Sequence, residues 1–403
     1  MIERILFRLI EKDSNTRQMS FIAGPRQVGK TTLAKQLLLK HKCLELYFNW
    51  DFKDIRASYR QNTDFYLKDI KKRNKYWICF DEIHKVKNWK NILKEHFDKH
   101  ENKIKTIITG SARLDLFRRS GDSLVGRYFL YRLLPLGLNE VSLEKSHFHL
   151  VELSSAIDFV ESRISRNIKA YERLNQLLEF GGFPEPFTKG SKDFHTKWKK
   201  LYTERLIYED LKEISQIQDL EKTGTLIDLL PEKIGSLLSI NSLSKDLEVN
   251  FRTAKNYLKV LELTYLLFFV KPYKKNITRT IKKESKVYLY DWTRIDNKSK
   301  KFENYVACEL YSLISLWNDS GYGYYDLNFV RTKDGKETDF LIVKDKSHWL
   351  LIEAKSAAVE IDNHHITQAK SLGNIPIVQV VLEPNQVRKF SDKQYIISAN
   401  RFF

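Results

Sequence analysis

The sequence is poor in the residues and segments that mark secreted and membrane proteins. Its 403 residues include three cysteines. Cys43, Cys79 and Cys308 are far apart, lack metal-ligand spacing and sit in apolar runs, which reads as buried thiols of a reducing compartment. The ten histidines show no spacing suited to a metal either. No apolar run approaches the roughly 18 residues that a membrane span requires. The amphipathic start Met1-Ile2-Glu3-Arg4-Ile5-Leu6 does not resemble a signal peptide. A cytoplasmic chain is expected. Prolines number eight, and neither an internal repeat nor a low-complexity linker occurs, so domains that pack directly on one another are expected. Acidic residues are in deficit: 51 Asp and Glu face 69 Lys and Arg, a formal net charge of +18. That sign favours a polyanionic partner, nucleic acid first and a membrane surface second, although a lysine-rich solubilising surface has the same composition.

What is present is more specific. Gly24-Pro25-Arg26-Gln27-Val28-Gly29-Lys30-Thr31 fits the phosphate-loop pattern G-x-x-x-x-G-K-[ST]. An apolar run, Met19-Ser20-Phe21-Ile22-Ala23, precedes it and a helix-like stretch beginning at Thr32 follows. Strand, loop and helix in that order is the context such a loop needs. Its glycines let backbone N–H groups close on phosphate oxygens, and the helix presents its positive end to them. These eight residues and Thr32 are the candidate nucleotide contacts. Lys30 would reach the β- and γ-phosphates of ATP, and Thr31 would hold Mg²⁺.

Residues 1–150 alternate strand-like and helix-like segments, with strands expected at 20–23, 44–48, 77–80, 106–109 and 128–133. That alternation predicts an α/β fold with a parallel sheet covered on both faces. The strand Trp77-Ile78-Cys79-Phe80 ends in Asp81-Glu82, the form of a Walker B element. Asp81 would bind Mg²⁺ through water, and Glu82 would orient and polarise the attacking water. Thr109 and Ser111 stand at the next strand tip, where a hydroxyl can sense the γ-phosphate or simply make a turn. Arg127 precedes the fifth strand. It is the first candidate for a charge-neutralising arginine supplied within the chain or by a neighbouring copy; Arg113, Arg118 and Arg119 compete, and a salt bridge is the plain alternative.

These motifs follow one another as in a large prokaryotic family. The phosphate loop, Asp51 within Tyr47-Phe48-Asn49-Trp50-Asp51, Asp81-Glu82-Ile83-His84, Thr109-Gly110-Ser111, Gly126-Arg127, Leu134-Pro135-Leu136 and Gly181-Gly182-Phe183-Pro184-Glu185 carry the likeness. In them the chain resembles, over essentially its whole length, the AAA+-type ATPases that bear a C-terminal domain of unknown function. The resemblance implies a core sheet of order 5-1-4-3-2, a helical lid and a winged helix. The expected division is an ATPase core at 1–154, a lid at 155–235, a winged helix at 236–300 and an α/β domain at 301–403. Within the lid, Gly181 to Pro186 is expected as a rigid turn, and Arg205 is a candidate nucleotide contact.

Residues 243–261 read as helix, turn, helix, with Arg252, Lys255, Asn256 and Lys259 at one-turn spacing opposite Ala254, Leu258 and Leu261. Lys271, Lys274, Lys275, Arg279, Lys282, Lys283 and Lys286 then crowd a basic strip opposed only by Glu284. Such a strip can displace counterions from DNA, whereas many winged helices only contact protein. In the last hundred residues, Asp339 begins one strand and Glu353-Ala354-Lys355 ends the next, with Glu303 on a helix upstream and Gln368 on one downstream. That is the pattern of a PD-(D/E)XK nuclease-like site, in which Glu303, Asp339 and Glu353 would bind a divalent metal and Lys355 would position water. A surface ion-pair set, or a nuclease fold that does not cut, would show the same residues. The chain as a whole reads as a Mg²⁺-dependent ATPase acting on DNA. Two other readings stay open: a nucleotide-gated module that assembles with itself or a protein partner, and a nuclease regulated by its ATPase.

Overall fold

The computed structural model describes residues 2–69, 76–110, 124–142, 155–165, 170–211, 219–273 and 285–403. Two compact units divide the chain. The first runs to Leu134 and takes in Leu263–Tyr265; the second comprises Pro135–Glu262 and Leu266–Phe403. Among the described residues no helix is long and apolar enough to cross a membrane.

In the first unit, runs of β-branched and aromatic residues alternate with helix formers. The order is α1 (Ile5–Lys12), β1 (Met19–Ala23), α2 (Lys30–Lys40), β2 (Tyr47–Asn49), α3 (Lys53–Gln61), β3 (Tyr76–Asp81), α4 (Trp89–His100), β4 (Ile104–Thr109) and β5 (Tyr128–Arg132). The strands form one parallel sheet in the order β2-β3-β4-β1-β5, which is the 5-1-4-3-2 arrangement expected. Every residue of β1, β3 and β4 is buried, because central parallel strands are covered on both faces. Register aligns the carboxyl ends: Ile22 and Asp81 both pair with Thr109, and Asp81 pairs with Asn49. Ligands of open α/β sheets bind in the crevice beyond such strand ends. One strand is displaced from expectation. Leu44–Leu46 form a 3₁₀ turn and the strand starts at Tyr47, since β3 offers β2 partners only from Cys79 to Asp81.

The second unit begins with helices: α5 (Leu138–Val141), α6 (Ala156–Ile164), α7 (Tyr171–Phe180), α8 (Pro184–Lys189), α9 (Lys192–Arg205) with a π-helical turn at Leu206–Leu211, and α10 (Leu220–Lys233). The rigid turn expected at Gly181 to Pro186 is shorter than that. Pro184 starts α8, where a fixed φ and a missing N–H are helix-compatible. Next come α11 (Ile240–Asp246), α12 (Phe251–Leu263), β6 (Leu267–Pro272), β7 (Lys286–Leu289), α13 (Lys298–Asp319), β8 (Tyr325–Arg331), β9 (Glu337–Lys344), β10 (Ser347–Lys355), α14 (Asn363–Ser371), β11 (Ile377–Val381), β12 (Val387–Ser391), β13 (Gln394–Ser398) and α15 (Ala399–Phe402). Strands β6 to β13 make one mixed sheet in the order β12-β13-β11-β10-β9-β8-β6-β7. The hairpin β6–β7 therefore joins the C-terminal sheet, through Lys271 and Pro272 against Asn328 and Phe329.

Glu309 shows how tightly α13 is fixed in this unit. Its Oε1 accepts the Leu138 N–H and the Tyr305 hydroxyl, both at 2.7 Å. Burial is the main reason its carboxyl is pushed up from 4.5 to about 7. Because the folded pKa is raised, the native state binds more protons between those values, and stability falls as pH rises through about 7. Thermal unfolding should show this loss in the wild type between pH 5 and 8, and a flatter profile in Glu309→Gln. The wild type's loss over that range should be about 2 kcal/mol.

Candidate nucleotide site and the C-terminal carboxylate cluster

The phosphate loop lies between β1 and α2, at the carboxyl edge of the first unit's sheet. Gly29 caps α2 with φ 99°, and Gly24 has φ 149°. A Cβ on Gly24 would lie 2.0 Å from the Leu133 carbonyl oxygen, so only glycine lets the loop leave β1 this close to the chain after β5. Lys30 Nζ donates to the carbonyls of Gly24 and Pro25 at 2.9 and 2.6 Å, and the side chain is buried. A further support comes from α1. Arg4, buried at its N-cap, donates from Nη1 to the Val28 carbonyl at 2.8 Å and from Nη2 to the Leu134 carbonyl.

Asp81 is the centre of the site. Thr31 Oγ1 donates to its Oδ2 at 2.9 Å, the Tyr47 hydroxyl donates to the same oxygen, and Thr109 Oγ1 donates to Oδ1. Residues from α2, β2, β4 and β3 thus converge on one carboxylate. Thr31 and Asp81 set a hydroxyl and a carboxylate oxygen side by side, the hard oxygen donors that suit Mg²⁺. Glu82 follows in the left-handed region at φ 58°, its N–H held by the Thr109 carbonyl at 3.0 Å. Burial, and then the charge on Asp81, push the Glu82 carboxyl up to about 7, opposed by Lys30 and Lys85. Asp51 pairs with Lys85.

The other expected residues fall elsewhere. Arg127 precedes β5 at the amino edge of the sheet, a strand length of roughly 16 Å from the phosphate loop. It makes a two-point ion pair with Asp98, at 2.8 and 3.2 Å. Ser111, Arg113, Arg118 and Arg119 lie outside the described residues. Sequence reasoning assigned no part to Arg4 or to the Tyr47 hydroxyl. Both act through contacts across the fold, which no local pattern announces.

In the second unit, Glu303, Asp339, Glu353 and Lys355 do come together, but with two groups, Lys286 and Glu337, that the sequence did not place there. Lys286 Nζ sits 2.7 Å from Glu337, 3.0 Å from Asp339 and 3.2 Å from Glu303. Its side chain is 1% exposed. Lys286 was expected in the exposed basic strip and is instead at the heart of an acidic cluster. All four residues of β7 are buried, and the carboxylates make the burial of Lys286 tolerable. Glu337, two residues before Asp339, shares that residue's face of β9. Lys355 Nζ pairs with Glu353 at 2.9 Å, and burial, then the charge on Asp339, raise the Glu353 carboxyl well above its usual range. Gln368 accepts the Thr338 hydroxyl and donates to the Lys336 carbonyl. The three acids expected to bind a divalent metal do not fit one, because an ammonium group already bridges Asp339 and Glu303.

Residues 16–142 match the family model described as AAA domain, residues 171–293 a domain of unknown function (DUF8612) and residues 298–402 another (DUF4143). The chain carries an AAA domain. Uncharacterized protein MJ1544 of Methanocaldococcus jannaschii is 27% identical over 352 residues, 84% of this chain and 75% of that one. Uncharacterized protein Rv2008c of Mycobacterium tuberculosis is 24% identical over 270 residues, and the match spans 67% of this chain but 53% of that protein. Among solved structures, a DNA polymerase III gamma subunit-related protein of Thermotoga maritima aligns at 14% identity and TM-score 0.29, over 64% of this chain and 96% of that one. The Bacillus subtilis DNA clamp loader delta protein aligns at 9% identity and TM-score 0.27, over 79% and 100%. Neither alignment is close enough to bear on function.

The AAA domain should lose nucleotide affinity when its loop support is cut. Arg4→Ala is expected to weaken binding of a fluorescent ATP analogue about tenfold, since two charge-assisted hydrogen bonds vanish together.

Proposed function

We propose that the AAA domain hydrolyses ATP with Mg²⁺ and that the chain couples this to DNA. The observation that carries the hydrolytic reading is the convergence of Thr31, Tyr47 and Thr109 on Asp81, with the pKa-shifted Glu82 next in sequence. Gly24 to Thr32 would cradle the phosphates, and Lys30 would leave its carbonyl partners for the phosphoryl oxygens. Thr31 and Asp81 would hold Mg²⁺, which supplies charge neutralisation at the phosphates when bound. Glu82 would orient the attacking water and polarise it through its ionised carboxylate. Asp98 holds Arg127 at the sheet's other edge, so a finger role for this arginine requires a neighbouring copy of the chain.

The DNA reading rests on α12. Arg252, Lys255, Asn256 and Lys259 are all exposed, while Ala254, Leu258 and Leu261 are buried. Asn250 caps the helix by accepting the Thr253 N–H at 2.8 Å. A helix pair, α11 and α12, followed by the antiparallel pair β6–β7, supports the winged-helix reading. Lys271 is exposed on β6, whereas Lys274, Lys275, Arg279, Lys282 and Lys283 lie outside the described residues.

Two outcomes test the proposal. Turnover should rise with pH as the Glu82 carboxyl, held above its usual range by burial, ionises, and Glu82→Gln should abolish it. Duplex DNA should stimulate turnover at low salt, less at moderate salt, and not at all in a variant with Arg252, Lys255 and Lys259 changed to Ala. Turnover indifferent to DNA yet steeply dependent on protein concentration would favour the nucleotide-gated assembly module instead.

A further inference from the structure

The C-terminal cluster brings four carboxylates together, and every oxygen of three of them has a donor. Asp339 Oδ1 faces Lys286 and its Oδ2 accepts the Ala354 N–H at 3.2 Å. Glu353 Oε1 faces Lys355 and its Oε2 accepts the Asp339 N–H at 3.2 Å. Glu337 Oε1 faces Lys286 and its Oε2 faces Arg331 at 3.1 Å. On the fourth, Glu303 Oε1 accepts the Tyr288 hydroxyl at 2.8 Å as well as facing Lys286. Four acids therefore meet three permanent cations, Lys286, Lys355 and Arg331. A divalent cation is drawn to oxygens that carry unspent negative charge. Here Lys286 already stands between Glu303, Glu337 and Asp339.

We infer that the Lys286 ammonium is the resident cation of the C-terminal carboxylate cluster, standing where a divalent metal would bridge Asp339 and Glu303, and that it excludes such a metal. The acids of this cluster are then a closed ion-pair network that ties β7, β9 and α13 together, not a divalent-metal centre. An ammonium and a divalent ion both satisfy carboxylates at close range, but the ammonium is covalently part of β7 and cannot exchange. Its removal should convert the network into a cation site, because it leaves Glu303, Glu337 and Asp339 uncompensated at one point.

The test is uptake of Mn²⁺ by the nucleotide-free, full-length chain, followed by equilibrium dialysis and by electron paramagnetic resonance of free Mn²⁺. Asp81→Asn is included throughout, so that the AAA site adds nothing and a failure of the ATPase reading leaves this outcome untouched. With Lys286 present, no Mn²⁺ equivalent should depend on Asp339. In Lys286→Ala roughly one equivalent should appear and should vanish again when Asp339→Asn is added. Mn²⁺ should also raise the melting temperature of Lys286→Ala alone. Where Lys286→Ala fails to fold without metal, refolding by Mn²⁺ supports the inference. Uptake of Mn²⁺ with Lys286 in place, at a site abolished by Asp339→Asn, would overturn it. So would a well-folded Lys286→Ala that takes up none.

Discussion

Three hydroxyl and phenol groups from three different elements donate to the single carboxylate of Asp81, and the nucleotide site is organised around that meeting. Thr31 comes from the first turn of α2, Tyr47 from β2 and Thr109 from the end of β4. Each donor can reach only if the parallel register is kept, since a slip of one residue would turn the side chain to the other face of the sheet. The same register fixes Glu82, whose N–H is taken by the Thr109 backbone. The loop, the strand tips and the acid pair are thus held as one piece, with Arg4 supporting the loop from α1.

Two buried acidic centres among the described residues have opposite chemistry. Donors to Asp81 are neutral, so they orient the carboxylate without cancelling its charge, and that charge stays available to a cation. In the C-terminal cluster two lysines and an arginine stand among the donors and cancel charge where it stands. Counting acids does not distinguish the two cases; the formal charge of the donors does. This difference separates a site that fits Mg²⁺ from one that does not, although both were read as metal sites in the sequence.

Most of the first unit was legible because its signals are contiguous. The phosphate loop, the apolar strands and the acid pair each occupy a few successive residues, and alternation of element types gave the sheet order once the family likeness was added. The helical face of α12 was legible for a similar reason, its period being local. What escaped depends on distant contacts. Tyr47 and Arg4 gain their roles from partners 34 and 24 residues away. Lys286 looked like one more lysine of a basic strip, and only the pairing of β7 with β6 turns it into the interior beside β9 and α13. The strands β8, β12 and β13 were missed outright: β12 is largely exposed, so the apolar run that would mark it is absent.

The most direct measurement is the number of Mn²⁺ ions bound per chain in the presence of a non-hydrolysable ATP analogue. The account predicts one, lost in Asp81→Asn and retained in Asp339→Asn. Two ions per chain, or one that survives Asp81→Asn and disappears in Asp339→Asn, would contradict it.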